Sequence, residues 1–280
     1  MTNLAGPRVK QQLLDRRLAE LGSVLVAYSG GVDSTYLAVR AHQRLGARAL
    51  AVTADSESLA TQQREVAIHV ARRFGVAHRL IATREIENPL YVRNAADRCY
   101  HCKTELFRSL LPLARAEGLA HVAYGLIADD LVDFRPGHRA AAEAGVLSPL
   151  AEAGMSKDDV RVMSRALGLP TAELPASPCL ASRLPYGTPV TAEALRQVER
   201  AEAALQALGF RELRVRHLGD AARVEIAGEE LPRLRDPALR DEVEAVVRAA
   251  GYREARIDPA GYRRGRLNEA LRVMTLTTRV

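Results

Sequence analysis

The chain has 280 residues, of which 48% are hydrophobic and 26% are charged. This length and composition are typical of a globular protein with one large or two modest domains, and they exclude a peptide or a fibre. Although the formal net charge is +6, the basic residues alternate with acidic ones and form no block, so we expect anionic small-molecule ligands and no nucleic-acid partner.

No apolar stretch approaches the ~18 to 20 residues that a membrane span needs. The first residues, MTNLAGPRVKQQ, also lack the apolar stretch of a secretory signal. The sequence therefore predicts a cytoplasmic location and no membrane partner.

Strand and helix patterns alternate through the first half of the chain. We predict strands at residues 23–29, 47–55, 76–83 and 119–125, and helices at residues 33–45, 59–74, 104–117 and 157–167. Short apolar strands separated by helices indicate a parallel sheet that is covered on both faces. The predicted fold class is therefore α/β, with an open parallel sheet.

Five prolines lie between Pro170 and Pro189, a density that forbids regular strand ladders and predicts a long ordered loop or linker. Beyond it, the pattern predicts helices at 192–208 and 237–250 and strands at 211–219, 222–228 and 253–258. This order indicates a small α+β domain with an antiparallel sheet. The predicted domains are 1–175, a proline-rich loop at 176–190, and 191–280.

The motif YSGGVDST, Tyr28–Thr35, follows a predicted strand and opens a predicted helix. Its glycines allow a tight turn with N–H groups pointing inward, its hydroxyl groups add donors, and the helix N-terminus adds positive potential. These features predict a pyrophosphate site. The string SGGxDS resembles the PP-loop of the ATP pyrophosphatases, and it lacks the Gly-Lys-Ser/Thr ending of a Walker A loop.

We expect ATP to bind at this loop and at the neighbouring strand ends, because ligands of open α/β sheets lie beyond the carboxyl ends of the strands. The predicted ATP-binding residues are Ala27, Ser29, Gly30, Gly31, Val32, Asp33, Ser34, Thr35, Thr53, Asp55, Ser56 and Gly125.

The acidic pair Asp129 and Asp130 ends the motif GLIADD, on the same predicted rim of the sheet. Carboxylate oxygens can hold Mg²⁺ between phosphates, and the PP-loop supplies the phosphates. The alternative is an Asx turn or a helix cap. We expect Asp129 to bind Mg²⁺.

A CxxC motif, Cys99 to Cys102, stands just before the predicted helix at 104–117. Thiols in this position perform redox exchange or bind zinc or an iron–sulfur cluster, and the spacing alone does not separate these roles. Lys103 follows directly and is a candidate phosphate partner in catalysis, although a lysine on a helix surface is the simpler interpretation.

The third cysteine, Cys179, lies in the proline-rich loop. Three cysteines cannot all pair within one chain, so they are better interpreted as ligands or nucleophiles. If the fold brings the three sulfurs together, three thiolates on a four-iron cluster leave one iron open to a sulfide or a substrate. If it does not, Cys179 is the natural lone nucleophile.

In the second predicted domain, Arg214 and Arg216 alternate along a strand and face the same side. Two guanidinium groups on one face can bind a phosphate, with Glu225 on the neighbouring strand and Glu202 on the preceding helix. A solvated strand face explains the pattern equally well.

Five motifs together are similar, in order and over essentially the whole chain, to the LarE family of ATP-dependent sacrificial sulfur transferases. These motifs are SGGVDST, RCYHCK, GLIADDLVDFRPG, SPCLASRLPYGT and RVRHLGDAARVEI. The resemblance implies a PP-loop domain followed by a small α+β domain. It also implies a homo-oligomer, because the family assembles as trimers paired into a hexamer.

The resemblance implies a reaction as well. The family makes the thiocarboxylates of the nickel-pincer nucleotide cofactor of lactate racemase from a pyridinium dicarboxylate mononucleotide. ATP adenylylates a carboxylate, pyrophosphate leaves, and a sulfur nucleophile displaces AMP. In members with only the loop cysteine, that residue gives up its sulfur and becomes dehydroalanine; in the three-cysteine branch, a [4Fe-4S] cluster carries an extra sulfide.

Cys99, Cys102 and Cys179 match the three-cysteine branch, so we expect a cluster-bound sulfide as the sulfur source, with sacrifice of Cys179 as the alternative mechanism. By the same resemblance, other positions match those that the family uses in catalysis, at the substrate phosphate, and at Mg²⁺. These are Cys179, Asp33 and Lys103 for catalysis; Arg183, Arg214 and Arg216 for the phosphate; and Glu202 and Glu225 beside Asp129 for Mg²⁺.

Other functions explain only part of the sequence. PP-loop tRNA thiolases also use three cysteines and a cluster, but they usually carry further CxxC motifs or an RNA-binding module, and this chain has no spare cysteines. An amidating ligase similar to GMP or NAD synthetase leaves the cysteines unused. An ATP sensor or a cluster carrier would bind ATP without releasing pyrophosphate.

Overall fold

The computed structural model describes residues 5–132 and 136–263. Residues 133–135 of the motif that begins at Gly125, and residues 264–280 of the predicted small domain, lie outside this description. No helix in the described ranges is long and apolar enough to cross a membrane.

The chain forms two compact units. The first comprises Met1–Glu85 and Cys99–Ser177, and the second comprises Ile86–Arg98 and Pro178–Val280. A short segment that interrupts the first unit in sequence therefore belongs to the second. The predicted domains, 1–175, 176–190 and 191–280, remain predictions.

Parallel strands form the centre of the first unit. They are β1 (Val24–Ala27), β2 (Ala49–Asp55), β3 (His78–Ala82) and β4 (His121–Tyr124). Among the described residues they form one sheet in the order β3-β2-β1-β4, and every pair is parallel. This sheet confirms the predicted α/β class, and it brings the carboxyl ends of all its strands to one edge.

The α-helices of the described residues are α1 (Ala5–Leu21), α2 (Val32–Leu45), α3 (Thr61–Arg73), α4 (Pro89–Val92), α5 (Arg98–Ala116), α6 (Pro136–Glu143), α7 (Pro149–Glu152), α8 (Lys157–Ala166), α9 (Ala192–Ala207) and α10 (Pro237–Ala249). A capping box starts α8: the Ser156 hydroxyl accepts from the Asp159 amide, and the Asp159 carboxylate accepts from the Ser156 amide. Such a box satisfies two backbone donors at the helix start.

The central strand β1 is buried on both faces of the sheet, whereas the edge strand β3 is partly exposed. Val24 and Val26 of β1 pack in one apolar cluster, whereas Leu25, the residue between them, packs in another. Successive side chains of a strand point to opposite faces, so each face of the sheet has its own core. A strand that is buried on both faces has apolar residues at successive positions, which explains the continuous apolar run in its sequence.

Helix α1 was not predicted from the sequence. Leu14 and Leu18 are fully buried on this helix, and Leu21 is 6% exposed. They pack in the same cluster as Tyr36 of α2. Their spacing of four and three residues is that of one helix face, so the signal was present in the sequence.

The second unit contains a mixed sheet, and the predicted antiparallel sheet is correct only in part. Its strands are β5 (Leu213–Leu218), β6 (Ala221–Ile226) and β7 (Glu254–Ile257). β5 pairs with β6 in antiparallel fashion, but β6 pairs with β7 in parallel. The long connection through α10 allows this, because a parallel pair needs a crossover of a dozen or more residues.

Truncation of Leu18 tests the packing of α1. We expect Leu18→Ala to lower the free energy of unfolding by about 2–5 kcal/mol, because a fully buried leucine leaves a cavity. Leu13→Ala on the same helix removes a side chain of a residue that is 40% exposed, and we expect a change within about 0.5 kcal/mol. Urea unfolding of both variants is the measurement. Equal losses would contradict the assigned helix face.

Candidate active site

The loop between β1 and α2 presents backbone N–H groups at the carboxyl edge of the sheet. Gly31 is the N-cap of α2, and no side chain in the described residues caps this helix. The first N–H groups of a helix have no intrahelical acceptor. Within the loop, the Ser29 amide donates to the Ser34 hydroxyl at 3.2 Å. An uncapped helix start of this kind is suited to bind an anion.

Close packing around this loop requires glycine at two positions. Gly30 has a φ of +74°, and a Cβ there would lie 3.0 Å from the Ala67 Cβ and from the Gln63 carbonyl oxygen. A Cβ on Gly125, directly after β4, would lie 2.8 Å from the backbone nitrogen of Ser34. Because that neighbour is backbone, rotation of a side chain cannot relieve the overlap.

Asp33 is paired with a lysine that was not predicted to belong to the site. Lys157 Nζ donates to Asp33 Oδ2 at 2.5 Å, and the Lys157 amide donates to Asp129 Oδ2 at 2.7 Å. Burial raises the pKa of Asp33, and the Lys157 ammonium opposes that rise. The first residue of α8 therefore joins the phosphate loop to the acidic motif. Its only signal in the sequence was the scarcity of lysine.

The carboxylates near the loop fit the chemistry of a Mg²⁺ ion shared with phosphates. Asp33 Oδ1 is buried without a hydrogen-bond partner among the described residues. The charge of Asp130 raises the pKa of Asp33, so a second carboxylate lies within electrostatic range. Mg²⁺ bound with phosphates needs only one or two protein carboxylates. Asp129 accepts from the Lys157 amide, and its role at Mg²⁺ stays a prediction.

Two other predicted nucleotide residues lie along β2. Thr53 Oγ1 donates to the Tyr28 carbonyl oxygen at 2.6 Å and lies 2.9 Å from His78 Nε2. Burial lowers the pKa of His78. Asp55, the last residue of β2, forms an ion pair with Arg64 at 3.1 Å. These contacts fix the strand ends beside the loop, and their nucleotide-binding role stays a prediction.

The CxxC motif lies inside a helix, so its predicted position just before one is wrong. α5 begins at Arg98 and places Cys99 and Cys102 in its first two turns. No proline or glycine separates residues 98 and 104, so nothing stops the helix from starting earlier. Cys99 is exposed, and Cys102 is half-buried with its Sγ donating to Glu85 Oε1 at 3.9 Å.

Lys103 packs against aromatic rings. Its ammonium group lies 5.8 Å from the ring centroids of both Phe107 and Tyr124, within the range of a cation–π attraction. Tyr124 is the last residue of β4. Lys103 therefore lies near the end of that strand, and its catalytic role stays a prediction.

Cys179 begins an ordered turn in the second unit. A 3₁₀ helix, Leu180–Arg183, follows it directly, and the Ser182 amide donates to the Cys179 carbonyl oxygen at 2.9 Å. Arg183 Nη1 donates to the same oxygen at 3.1 Å and to the Pro178 carbonyl oxygen at 2.5 Å. The thiol is free, and the residue is half-buried.

The predicted phosphate arginines are buried, and two of them are paired with carboxylates. Arg183 donates to both oxygens of Glu202, at 2.9 and 2.8 Å, and Arg216 donates to Glu225 Oε2 at 2.9 Å. Each of these four residues is less than a tenth exposed, which excludes a solvated face for them. The predicted Mg²⁺ roles of Glu202 and Glu225 stay predictions, because both carboxylates hold arginines.

Arg214 adds a further positive charge to this cluster. It is 6% exposed, and its guanidinium lies 4.9 Å from the ring centroid of Tyr262. Burial lowers the pKa of Arg214, and the charges of Arg183 and Arg216 lower it further, against the opposing effect of Glu202. Several guanidinium groups therefore lie close together in the second unit. Such groups can bind a phosphate through paired N–H donors.

The three cysteines are divided between the units, with Cys99 and Cys102 in the first and Cys179 in the second. None of the three forms a disulfide in the described ranges, and cysteine thiolates are the donors that iron–sulfur clusters use. Among the residues that the structure describes, no three His, Cys, Asp or Glu side chains form a group that could hold a metal ion. The three-thiolate site stays a prediction.

No protein-family model matches the chain. The chain is 44% identical over 262 residues to an uncharacterized protein of Synechocystis sp., covering 94% of this chain and 98% of the relative. It is 34% identical over 270 residues to the pyridinium-3,5-bisthiocarboxylic acid mononucleotide synthase of Lactiplantibacillus plantarum, covering 96% of this chain and 97% of the relative.

A shorter match covers part of the chain. Over 184 residues, the chain is 27% identical to a component of the glutamine-hydrolysing GMP synthase of Methanocaldococcus jannaschii, covering 58% of this chain and 53% of the relative. Together with the parallel sheet and its glycine loop, this similarity confirms the predicted PP-loop class of the first unit.

Addition of one methyl group at Gly125 tests the packing of the loop. We expect Gly125→Ala to weaken ATP binding about tenfold or more, because its Cβ would push the Ser34 backbone out of place. Gly228→Ala serves as the matched control, since a Cβ there meets nothing within 4 Å. Calorimetric titration with ATP measures both variants. Unchanged affinity in Gly125→Ala would contradict the geometry of the loop.

Proposed function

Because the chain belongs to the LarE family of pyridinium-3,5-bisthiocarboxylic acid mononucleotide synthases, we propose that it thiolates the carboxylates of pyridinium-3,5-biscarboxylic acid mononucleotide. The enzyme is an ATP-dependent sulfurtransferase, and its product would serve the nickel-pincer nucleotide cofactor of lactate racemase. The observation that carries the proposal is the uncapped start of α2, with Gly125 packed so closely against it that no side chain fits between them.

In the first step, a carboxylate oxygen of the substrate attacks the α-phosphorus of ATP, and pyrophosphate leaves. Negative charge that develops on the leaving group would be stabilised by the amides at the start of α2 and by the Lys157 ammonium. Asp33 holds that ammonium in place. Mg²⁺, which Asp33 would help to hold through Oδ1, supplies Lewis-acid stabilisation of the phosphates.

In the second step, a sulfur nucleophile attacks the acyl carbon of the adenylate, and AMP leaves with the oxygen that bridged carbon and phosphorus. A carboxylate is a poor electrophile, so this displacement depends on the preceding adenylylation. Cys179 is a free, half-buried thiol on an ordered turn. These features support a place for this turn at the reacting carbon.

We propose that Cys99, Cys102 and Cys179 hold a [4Fe-4S] cluster. The cluster would supply an iron with an open position that binds the sulfide to be transferred. Support comes from the match to the three-cysteine branch and from the absence of a disulfide at any of the three residues in the described part of the chain. The alternative source is the sulfur of Cys179 itself, which would leave dehydroalanine.

The phosphate of the substrate mononucleotide is assigned to the arginine cluster of the second unit. Arg214 and Arg216 lie on β5, and both are buried with Arg183 around two carboxylates. The closeness of these arginines and the fork geometry of guanidinium groups support this assignment. A cytoplasmic location and a hexameric assembly stay predictions.

An anaerobic reaction of the iron- and sulfide-reconstituted protein with ATP, Mg²⁺ and the pyridinium mononucleotide tests this function. We expect AMP, pyrophosphate and thiocarboxylate in equal amounts and an unchanged protein mass. Loss of the elements of H₂S at Cys179 in the intact mass would establish the sacrificial route. If the wild-type protein released no pyrophosphate, the proposed function would be wrong.

Two lysine variants control this reaction. We expect Lys157→Met to slow pyrophosphate release about 100-fold, because the ammonium that faces the phosphates is lost. Lys10 also pairs with an aspartate, Asp159, at 2.6 Å. Lys10→Met is expected to stay within about twofold of wild type, since its charge lies outside the loop.

A further inference from the structure

The segment Ile86–Arg98 is bound along the proline-rich loop of the second unit. The Val190 amide donates to the Val92 carbonyl oxygen at 2.9 Å, and the Gly187 amide donates to the Asn94 carbonyl oxygen at 3.0 Å. These backbone bonds join two parts of the chain that are far apart in sequence. The loop that carries Cys179 therefore depends on a segment that had no assigned role in the sequence.

Asn94 binds both ends of the turn at residues 185–188 of this loop through one side chain. Its Nδ2 donates to the carbonyl oxygens of Pro185 and Thr188, at 2.8 Å each, and its Oδ1 accepts from Arg98 Nη1. Asn94 is fully buried, and its φ of +54° is the only positive value of a non-glycine residue in the described part of the chain. Asparagine tolerates this conformation better than most residues.

Arg98 extends the same network to the cysteine turn. Its Nη1 donates to the Ala181 carbonyl oxygen at 2.8 Å, and its guanidinium lies 6.0 Å from the ring centroid of Tyr186. Arg98 is only 3% exposed. A buried guanidinium that bonds to both Asn94 and Ala181 is fixed in position, since loss of either bond leaves a buried charge poorly satisfied.

Guanidinium groups thus bind several carbonyl groups of the cysteine turn. Arg183 binds the carbonyl oxygen of Cys179, Arg98 binds that of Ala181, and Arg216 binds that of Ser182. Arg183 and Arg216 belong to the charged cluster described above. Arg98 instead lies outside that cluster and links the turn to the amide oxygen of Asn94 through charge-assisted hydrogen bonds.

We propose that Arg98, oriented by Asn94, is a positioning residue that holds the Cys179 turn in place for the sulfur-transfer step, whether Cys179 binds the cluster or gives up its own sulfur. The inference rests on the proposed function. Arg98 orients the backbone two residues after the sulfur-bearing position and takes no part in adenylylation. Misplacement of a reacting group by about 1 Å can cost about 100-fold in rate. Loss of Arg98 should therefore slow sulfur transfer and leave pyrophosphate release intact.

Comparison of the two steps in Arg98→Met tests the proposal. We expect pyrophosphate release within about twofold of wild type, an unchanged KM for the pyridinium mononucleotide, and a kcat for thiocarboxylate formation lowered about tenfold or more. Arg98→Lys should recover part of the rate, because an ammonium can still donate to one carbonyl group. Sulfur transfer at the wild-type rate in Arg98→Met, or equal loss of both steps, would overturn the proposal.

Two further variants keep the test decisive. Asn94→Gly accepts the positive φ and deletes the side-chain bonds, so it is expected to reproduce the selective loss of sulfur transfer even if Arg98→Met does not fold. Wild-type sulfur transfer in a folded Asn94→Gly would also count against the proposal. Arg93→Gln is the matched control, since Arg93 is exposed and pairs only weakly with Asp97 at 3.6 Å.

A second readout does not depend on the proposed function. In a Cys99→Ser and Cys102→Ser background, we expect Arg98→Met to change the alkylation rate of Cys179 by iodoacetamide about threefold or more, because the turn is released. If the wild-type protein releases no pyrophosphate but Arg98→Met still changes the alkylation rate of Cys179, the proposed function is wrong and the positioning role is supported. An unchanged alkylation rate with normal enzyme activity would refute the positioning role alone.

Discussion

Parallel pairing of β1 with β2 on one side and with β4 on the other is the constraint on which the first unit depends. It brings the glycine loop, Asp55 and Gly125 to one edge of the sheet. Only glycine at 125 allows the exit of β4 to lie against the start of α2. The geometry of the loop that we propose for phosphate binding is therefore a consequence of strand direction and of one missing side chain.

Ion pairs are the second organising feature, and both units contain one. Asp33 is held by Lys157 in the first unit, where both side chains are partly exposed, and Glu202 is held by Arg183 in the second, where both residues are buried. Removal of one partner from the buried pair of the second unit costs about 3–5 kcal/mol, because the remaining charge has no compensation. Such pairs add little net stability, but they fix side chains in one orientation. This is the property that a site for phosphate and acyl chemistry needs.

Local signals predicted much of the first unit. The sequence predicts the strand pattern, the glycine loop and the helix after it, because each of these features depends on residues that are close in sequence. The predicted helix begins at residue 104, whereas α5 begins at Arg98 and includes the cysteine motif. The helix α1 was missed, although Leu14 and Leu18 have helical spacing.

The sequence does not predict contacts between residues that are far apart along the chain. Lys157 meets Asp33 across 124 positions, and Asn94 meets Pro185 across 91. No periodicity encodes such a pairing, because it arises only when the sheet and its connections are in place. The sequence also predicts the wrong direction for β7, which is parallel to β6. This direction depends on the path that the chain takes through α10, and no local pattern encodes that path.

An isotope transfer tests the central chemical step most directly. If the substrate carboxylates carry ¹⁸O and the solvent does not, attack on the α-phosphorus must place one carboxylate oxygen in the phosphate of AMP. Mass spectrometry of the AMP formed in a single turnover is the measurement. We expect one ¹⁸O atom in each AMP and none in pyrophosphate. AMP without the label would contradict an acyl adenylate and, with it, the function assigned to the loop.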